Sequence, residues 1–317
     1  MTQPELPLDR SRRELLQAGA LALGAASLAS FDAAAADAPL EGAIDAHSHI
    51  WTPDVKRHPL AAGFKVTDMQ PASFTPEELQ AEARPCGVAR VVLIQMSYYR
   101  FDNSYMLAAM RDHRGVFGGV AVIDEHASGL GETMRDLKRQ GVRGFRIHPA
   151  AQAVDRWLSS EGMAAMWRLG ADERLAMCAL VNPEALVPLE AMCRKFPETP
   201  LVIDHFARIG IDGTVHAADL DNLCRLARHA HVHVKISAFY ALGKKAAPYT
   251  DLGPMIRRLR DAFGAERLMW ATDCPYQVQM GHAYCDSIEL VRSRLDFLTP
   301  ADRRAMLITT AERVFFS

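Results

Sequence analysis

The sequence predicts an α/β protein built as a (β/α)8 TIM barrel, and three observations predict it. After residue 40, short apolar runs alternate eight times with longer amphipathic stretches. Most of the runs are rich in Val, Ile and Leu, as parallel strands covered on both faces must be. About 280 residues remain once an N-terminal leader is set aside, close to the ~250 typical of such a barrel. A doubly wound open sheet is the alternative with the same alternation, but no G-x-G-x-x-G follows an early strand.

The leader comprises residues 1–36. Arg10, Arg12 and Arg13 form a basic cluster, an Ala/Leu/Gly stretch follows from residue 15, and alanines 33–36 close it. The stretch is shorter than the roughly 20 residues of a spanning helix, so no stable membrane span is expected. A charged start, short apolar middle and small-residue end make a signal peptide. Ser11-Arg12-Arg13-Glu14-Leu15-Leu16 looks like a twin-arginine signal, which implies the twin-arginine export machinery as a partner and a periplasmic location. An amphiphilic N-terminal helix or lipid-facing anchor is the blander reading.

Residues 37–317 read as one domain, because no linker, repeat or low-complexity tract divides them. Hydrophobic residues make up 49% of the chain and the net charge is -2, with no basic stripe to suit a nucleic acid. Six cysteines show no C-x-x-C spacing, which argues against a zinc module. Cys178, Cys193 and Cys224 fall in apolar or amphipathic stretches and read as small core residues. Cys274 and Cys285 flank one loop and are the pair expected to bridge if any does.

In order, the first strand covers residues 43–46, and Thr75-Pro76-Glu77-Glu78 then starts a helix. The threonine caps it, the proline suits its first turn, and the acids favour its positive end. Strands two to four cover 91–95, 116–123 and 144–148, followed by helices over 104–113, 130–140 and 162–174. Strands five and six cover 176–181 and 201–204, followed by helices over 183–196 and 218–230. Strands seven and eight cover 232–237 and 268–272, followed by helices over 254–263 and 287–295. A last helix runs from about 300 to 314.

Chemistry in such a barrel sits at the carboxyl ends of the strands. His47 and His49 end the first strand and point the same way, because strand side chains alternate. Two convergent imidazoles suit a divalent metal or a polarised carbonyl. Gln95, Ser97, Asp124, Arg146, His148, Asp204, His205, Lys235, Ser237 and Asp273 lie at the ends of later strands. Asp273 suits a metal ligand, a general base for water, or a cap on loop amides. His205 could polarise a carbonyl or be a satisfied buried histidine. Arg146, on one face of its strand with His148, needs a partner, either a substrate carboxylate or a neighbouring acid. His229, His231 and His233 have metal-like spacing but precede or begin strand seven, so they belong to the stability face, as does His113 before strand three.

These residues carry a resemblance. Asp45-Ala46-His47-Ser48-His49, Asp204-His205 and Trp270-Ala271-Thr272-Asp273-Cys274-Pro275 resemble the amidohydrolase-related family of the amidohydrolase superfamily. The nearest branch contains 2-pyrone-4,6-dicarboxylate lactonase and sugar-lactone hydrolases. The segments from Val92 to Asn103, Gly144-Phe145-Arg146 and Val234-Lys235-Ile236-Ser237 are similar to that branch, so the resemblance spans nearly the whole mature chain. It implies a distorted barrel with His47, His49, His205 and Asp273 at the active site. Metal-dependent relatives add a fifth-strand histidine, which Ala176-Met177-Cys178-Ala179-Leu180-Val181 lacks, and Cys274 stands where relatives usually carry tryptophan.

The expected activity is hydrolysis of a lactone bearing a carboxylate or several hydroxyls. Asp273 takes the proton from water, while His47, His49 and His205 stabilise the oxyanion. Alternatively, one divalent metal, zinc foremost, sits on His47, His49 and Asp273, with His148 as a substitute ligand. Arg146 and His148 would bind the substrate, and Ser97, Tyr98 and Asn103 would shape its specificity. Two rival readings are metal-dependent amide hydrolysis or decarboxylation, and a non-catalytic barrel that binds a small acid.

Overall fold

A computed structural model describes residues 42–148, 156 and 159–317 of the chain. The expected signal peptide lies outside the described residues. Strands β1 (Ala43–Ser48), β2 (Val88–Ile94), β3 (Phe117–Ala121) and β4 (Val142–Ile147) lie side by side in parallel. They are followed by β5 (Ala176–Ala179), β6 (Leu201–Ile203), β7 (Val232–Ile236) and β8 (Leu268–Trp270), again parallel and in chain order. Eight parallel strands in sequential order are the (β/α)8 barrel that the alternation predicts.

The connecting helices are α1 (Pro76–Ala83), α2 (Ser104–Asp112), α3 (Leu130–Arg139) and α4 (Glu161–Glu173). They continue as α5 (Leu186–Lys195), α6 (Ala217–Arg225), α7 (Gly253–Phe263) and α8 (Tyr284–Glu289). The closing helical segment runs as α9 (Pro300–Arg304), a π turn over Ala305–Thr309, and α10 (Thr310–Phe315). Helix α1 starts as its sequence requires. The Thr75 hydroxyl accepts from the Glu78 amide, and the Glu78 carboxylate accepts from the Thr75 amide at 2.6 Å. Among the described residues, no helix is long and apolar enough to cross a membrane.

The barrel closes at the seam between β1 and β8, where the chain past Trp270 continues the pairing. The Asp273 amide donates to the His47 carbonyl and the His49 amide to the Cys274 carbonyl, both at 2.8 Å. Asp45, wholly buried, stitches the same seam. Its carboxylate accepts from the His47 and Thr272 amides at 3.0 Å, from Ser48 Oγ at 2.8 Å, from the Tyr284 hydroxyl at 2.7 Å, and from Thr272 Oγ1. A buried carboxylate is tolerated only with such partners, and these fix where His47 and Asp273 emerge.

Cys86, in the turn after α1, is bonded to Cys285 in α8, with Cα atoms 5.2 Å apart. This corrects the expected Cys274–Cys285 pair. Cys274 is a free, buried thiol on the β8 side of the seam. Adjacency along one loop is a poor guide to pairing, because the barrel brings α1 and α8 together across 199 residues.

Candidate active site

The site is built on the carboxyl ends of β1, β6, β7 and β8. Three imidazole Nε2 atoms converge on one oxygen, Asp273 Oδ1: His49 at 3.2 Å, His47 at 3.4 Å and His205 at 3.8 Å. Asp273 Oδ2 accepts from the Tyr240 hydroxyl at 2.7 Å, which fixes the carboxylate plane. The backbone is bent to achieve this. Asp273 has φ 71°, and His205 to Arg208 are four successive non-glycine residues with φ between 52° and 58°. Such left-handed conformations are costly for these residues and cluster at functional sites.

Hydrogen positions follow from the partners. His49 Nδ1 lies 2.9 Å from the Ile94 carbonyl oxygen, which can only accept, so Nδ1 carries the hydrogen. His49 Nε2 therefore turns its lone pair toward Asp273 Oδ1, an arrangement that calls for a proton or a cation between them. Burial and the Lys235 ammonium hold the His47 imidazole well below its usual range, and burial takes His205 down to about 4, so both are neutral at neutral pH. Burial pushes the Asp273 carboxyl up, but the three histidines, His205 foremost, outweigh it and hold the group ionised.

Beneath this cluster lies a buried charge network. Asp204 binds Lys235 Nζ at 3.0 Å and Arg146 Nη2 at 3.2 Å, and stands 3.4 Å from His47 Nδ1. Lys235 is wholly buried, 3.2 Å from His47 Nδ1 and against the Phe315 ring. Burial pushes Asp204 up, and Lys235, His47 and Arg146 outweigh that to keep it well below the usual carboxylate range. Arg146 also lies 3.2 Å from His47 Nε2. The neighbouring acid is thus one partner of Arg146, while its buried Nε has no hydrogen-bond partner among the described residues.

A cavity of about 490 Å³ opens above, walled by His49, Arg146, His205, Arg208, Tyr240 and Asp273 among others. Ser97 lines this cavity and a second one, and exposed His148 lines only the second. Tyr98 donates to the Asp68 carbonyl at 2.8 Å and packs its ring on Trp51, and it lines neither cavity. Asn103 spends its amide on backbone, donating to the Phe101 and Val122 carbonyls and accepting from the Val122 amide. Gln95 likewise donates to the Arg100 and Asp102 carbonyls, and Ser237 holds His205 Nδ1 at 2.8 Å.

Sequence reasoning assigned no role to Tyr240, Arg208, Asp204 or Lys235. A lysine inside Val232-His233-Val234-Lys235-Ile236 is the available signal for the last two, since a buried ammonium requires a carboxylate. Tyr240 and Arg208 lie in irregular turns, where no periodicity shows direction.

Among the described residues, His47, His49 and Asp273 are the group whose ligand atoms lie within 4.8 Å of one another. Two imidazoles and a carboxylate, with the His49 tautomer fixed through its far nitrogen, fit a divalent cation. His148 lies outside this group, and Cys178 on β5 is a buried thiol pushed up to about 12 by burial. The other histidines keep separate company: His229 lies 3.5 Å from Glu190, His231 3.4 Å from Glu198 and His113 3.2 Å from Glu77.

The model of the family described as Amidohydrolase matches residues 44–316. An L-fucono-1,5-lactonase from Burkholderia ambifaria is 30% identical over 251 residues, which cover 75% of this chain and 82% of that protein. A 4-sulfomuconolactone hydrolase from Rhizobium radiobacter is 29% identical over 246 residues, 74% of this chain and 76% of that protein. A crystal structure of an amidohydrolase from Burkholderia multivorans with bound zinc shares the fold. Its TM-score is 0.71 at 22% identity, over 86% of this chain and 98% of that one. From its matched length and its barrel, the chain belongs to the amidohydrolase family of enzymes.

Proposed function

We propose that this enzyme hydrolyses the ring ester of a lactone derived from a small acid bearing a carboxylate or several hydroxyls. The observation that carries the reading is the convergence of His47, His49 and His205 on the ionised Asp273 at the floor of an open cavity. The lactone-acting relatives support it.

In this mechanism water attacks the lactone carbonyl carbon and gives its proton to Asp273, which Tyr240 holds in place. The ring C–O bond then breaks, and the departing alkoxide takes the proton back from Asp273. In the tautomer in which His205 Nδ1 accepts from Ser237, the hydrogen of His205 sits on Nε2, where it would face the developing oxyanion. Arg208 lines the cavity with one hydrogen bond, to Asn182 at 3.2 Å, so it is better placed than the Asp204-paired Arg146 to receive a substrate anion. A divalent cation on His47, His49 and Asp273 would supply Lewis-acid stabilisation of the developing negative charge.

A panel of sugar lactones, muconolactones and pyrone dicarboxylates, read by acid release, tests the proposal. Turnover of at least one member is expected. Turnover only of amides or of decarboxylating acids would replace it with the metal-dependent alternative, and tight acid binding without turnover would favour a binding barrel. Elemental analysis of unchelated protein should find about one divalent ion per chain, lost on His49→Ala.

We also propose export to the periplasm. The Cys86–Cys285 bridge suits an oxidising compartment, and recovery of the protein in the cytosolic fraction would overturn that.

A further inference from the structure

The barrel mouth has a second chamber, and its chemistry differs from the first. A cavity of about 650 Å³ adjoins the catalytic one, and Ser97, Arg146 and Leu180 line both. On its far side, among the described residues, the walls include Phe64, Phe101, Val122, Ile123, Met163 and Met166. Charged or polar side chains there include Arg100, Glu125 and His148.

Three features make this chamber a place for an apolar group rather than a gap. Phe101 is 51% exposed and presents an aromatic surface at the chamber wall. Met163 and Met166 are buried against the core yet reach the lining, and methionine adapts to varied shapes. Helix α4, which carries them, is pressed against the loop after β3: a Cβ on Gly162 would lie 1.9 Å from the Glu125 carbonyl oxygen.

We infer that the substrate carries an apolar arm, alkyl or aryl, which occupies this second chamber while its lactone ring lies over Asp273. The inference rests on the lactone reading and narrows it. Against Phe101, Val122, Ile123, Met163 and Met166 a hydroxyl would meet side chains that offer it no strong hydrogen bond, whereas each buried methylene favours binding by roughly fourfold.

Two lactones with the same ring test it: γ-butyrolactone, and γ-nonalactone with its pentyl arm. Wild-type enzyme should show kcat/KM at least tenfold higher for γ-nonalactone. Val122→Phe, which fills the chamber, should cut that preference at least fivefold and leave γ-butyrolactone within about twofold. Phe101→Ala, at a half-exposed position that the fold does not depend on, should reduce the preference in the same direction if Val122→Phe does not fold. Equal kcat/KM for the two lactones, or a preference that neither variant moves, would overturn the inference. If neither lactone is turned over, calorimetry of the ring-opened acids decides separately. 4-Hydroxynonanoate should then bind at least tenfold tighter than 4-hydroxybutanoate, and equal affinity would overturn the second chamber's role.

Discussion

Two sets of histidines in this chain share one spacing and have opposite fates. His47 and His49 leave the carboxyl end of β1, whereas His229, His231 and His233 lead into β7 from its amino end. At the first end both imidazoles, joined by His205 from the end of β6, meet one ionised carboxylate. At the second, His229 and His231 each face a separate glutamate, and His233 turns to the His231 carbonyl. Spacing alone therefore says little. Strand direction decides, because every strand of a parallel barrel delivers its carboxyl end to one shared mouth.

The largest expected effect breaks the contrast at its centre. Asp273→Asn should lower lactone turnover about 10³-fold with the fold retained, whereas Glu190→Gln, the partner of His229, should leave turnover unchanged. Circular dichroism and steady-state kinetics on both variants check this. Equal losses would mean that the two ends are not functionally distinct.

Next comes the seam that positions the first set. Asp45→Ala leaves buried amides and hydroxyls without an acceptor and should cost about 3–5 kcal/mol, or roughly 10 °C in Tm. Denaturant melts would show it, and a loss under about 1 kcal/mol would deny Asp45 that role.

A third prediction concerns the second set directly. Burial, assisted by Arg313, takes His233 down to about 4, below its unfolded value near 6.5. The unfolded chain therefore binds a proton first as pH falls. The stability contribution is full above about 6.5 and is lost between there and about 4, up to about 3 kcal/mol. Urea melts at several pH values should be flatter in that window for His233→Asn.

The smallest effect separates the two arginines at the mouth. Arg208→Ala should raise KM for a carboxylated lactone about tenfold with kcat little changed, and leave a neutral lactone unaffected. If instead kcat falls for both substrates, Arg208 acts on the reaction rather than on the anion.

Much of this was legible in the residues. Val/Ile-rich runs and a capped helix start mark the elements through local periods of two and 3.6, which need no tertiary information. The barrel rule then sets His47, His49, His205 and Asp273 among the polar residues at strand carboxyl ends, and the family resemblance singles out those four. Tyr98 and Asn103 show the limit of that rule, since lying just past a strand end does not say whether a side chain turns to the cavity or back to the backbone.

By itself, then, the sequence determined the order of strands and helices and which residues stand at their carboxyl ends. Only the tertiary structure decided how those residues pair. Arg146 meets His47 across 99 residues, Lys235 meets it across 188, and Tyr284 reaches Asp45 across 239. Those contacts exist only once the sheet curls and its first strand meets its last. The same closure joins Cys86 to Cys285 and sets an apolar chamber beside the histidines. Alternation along a chain is a local property, while barrel closure and the pairings it enforces are global.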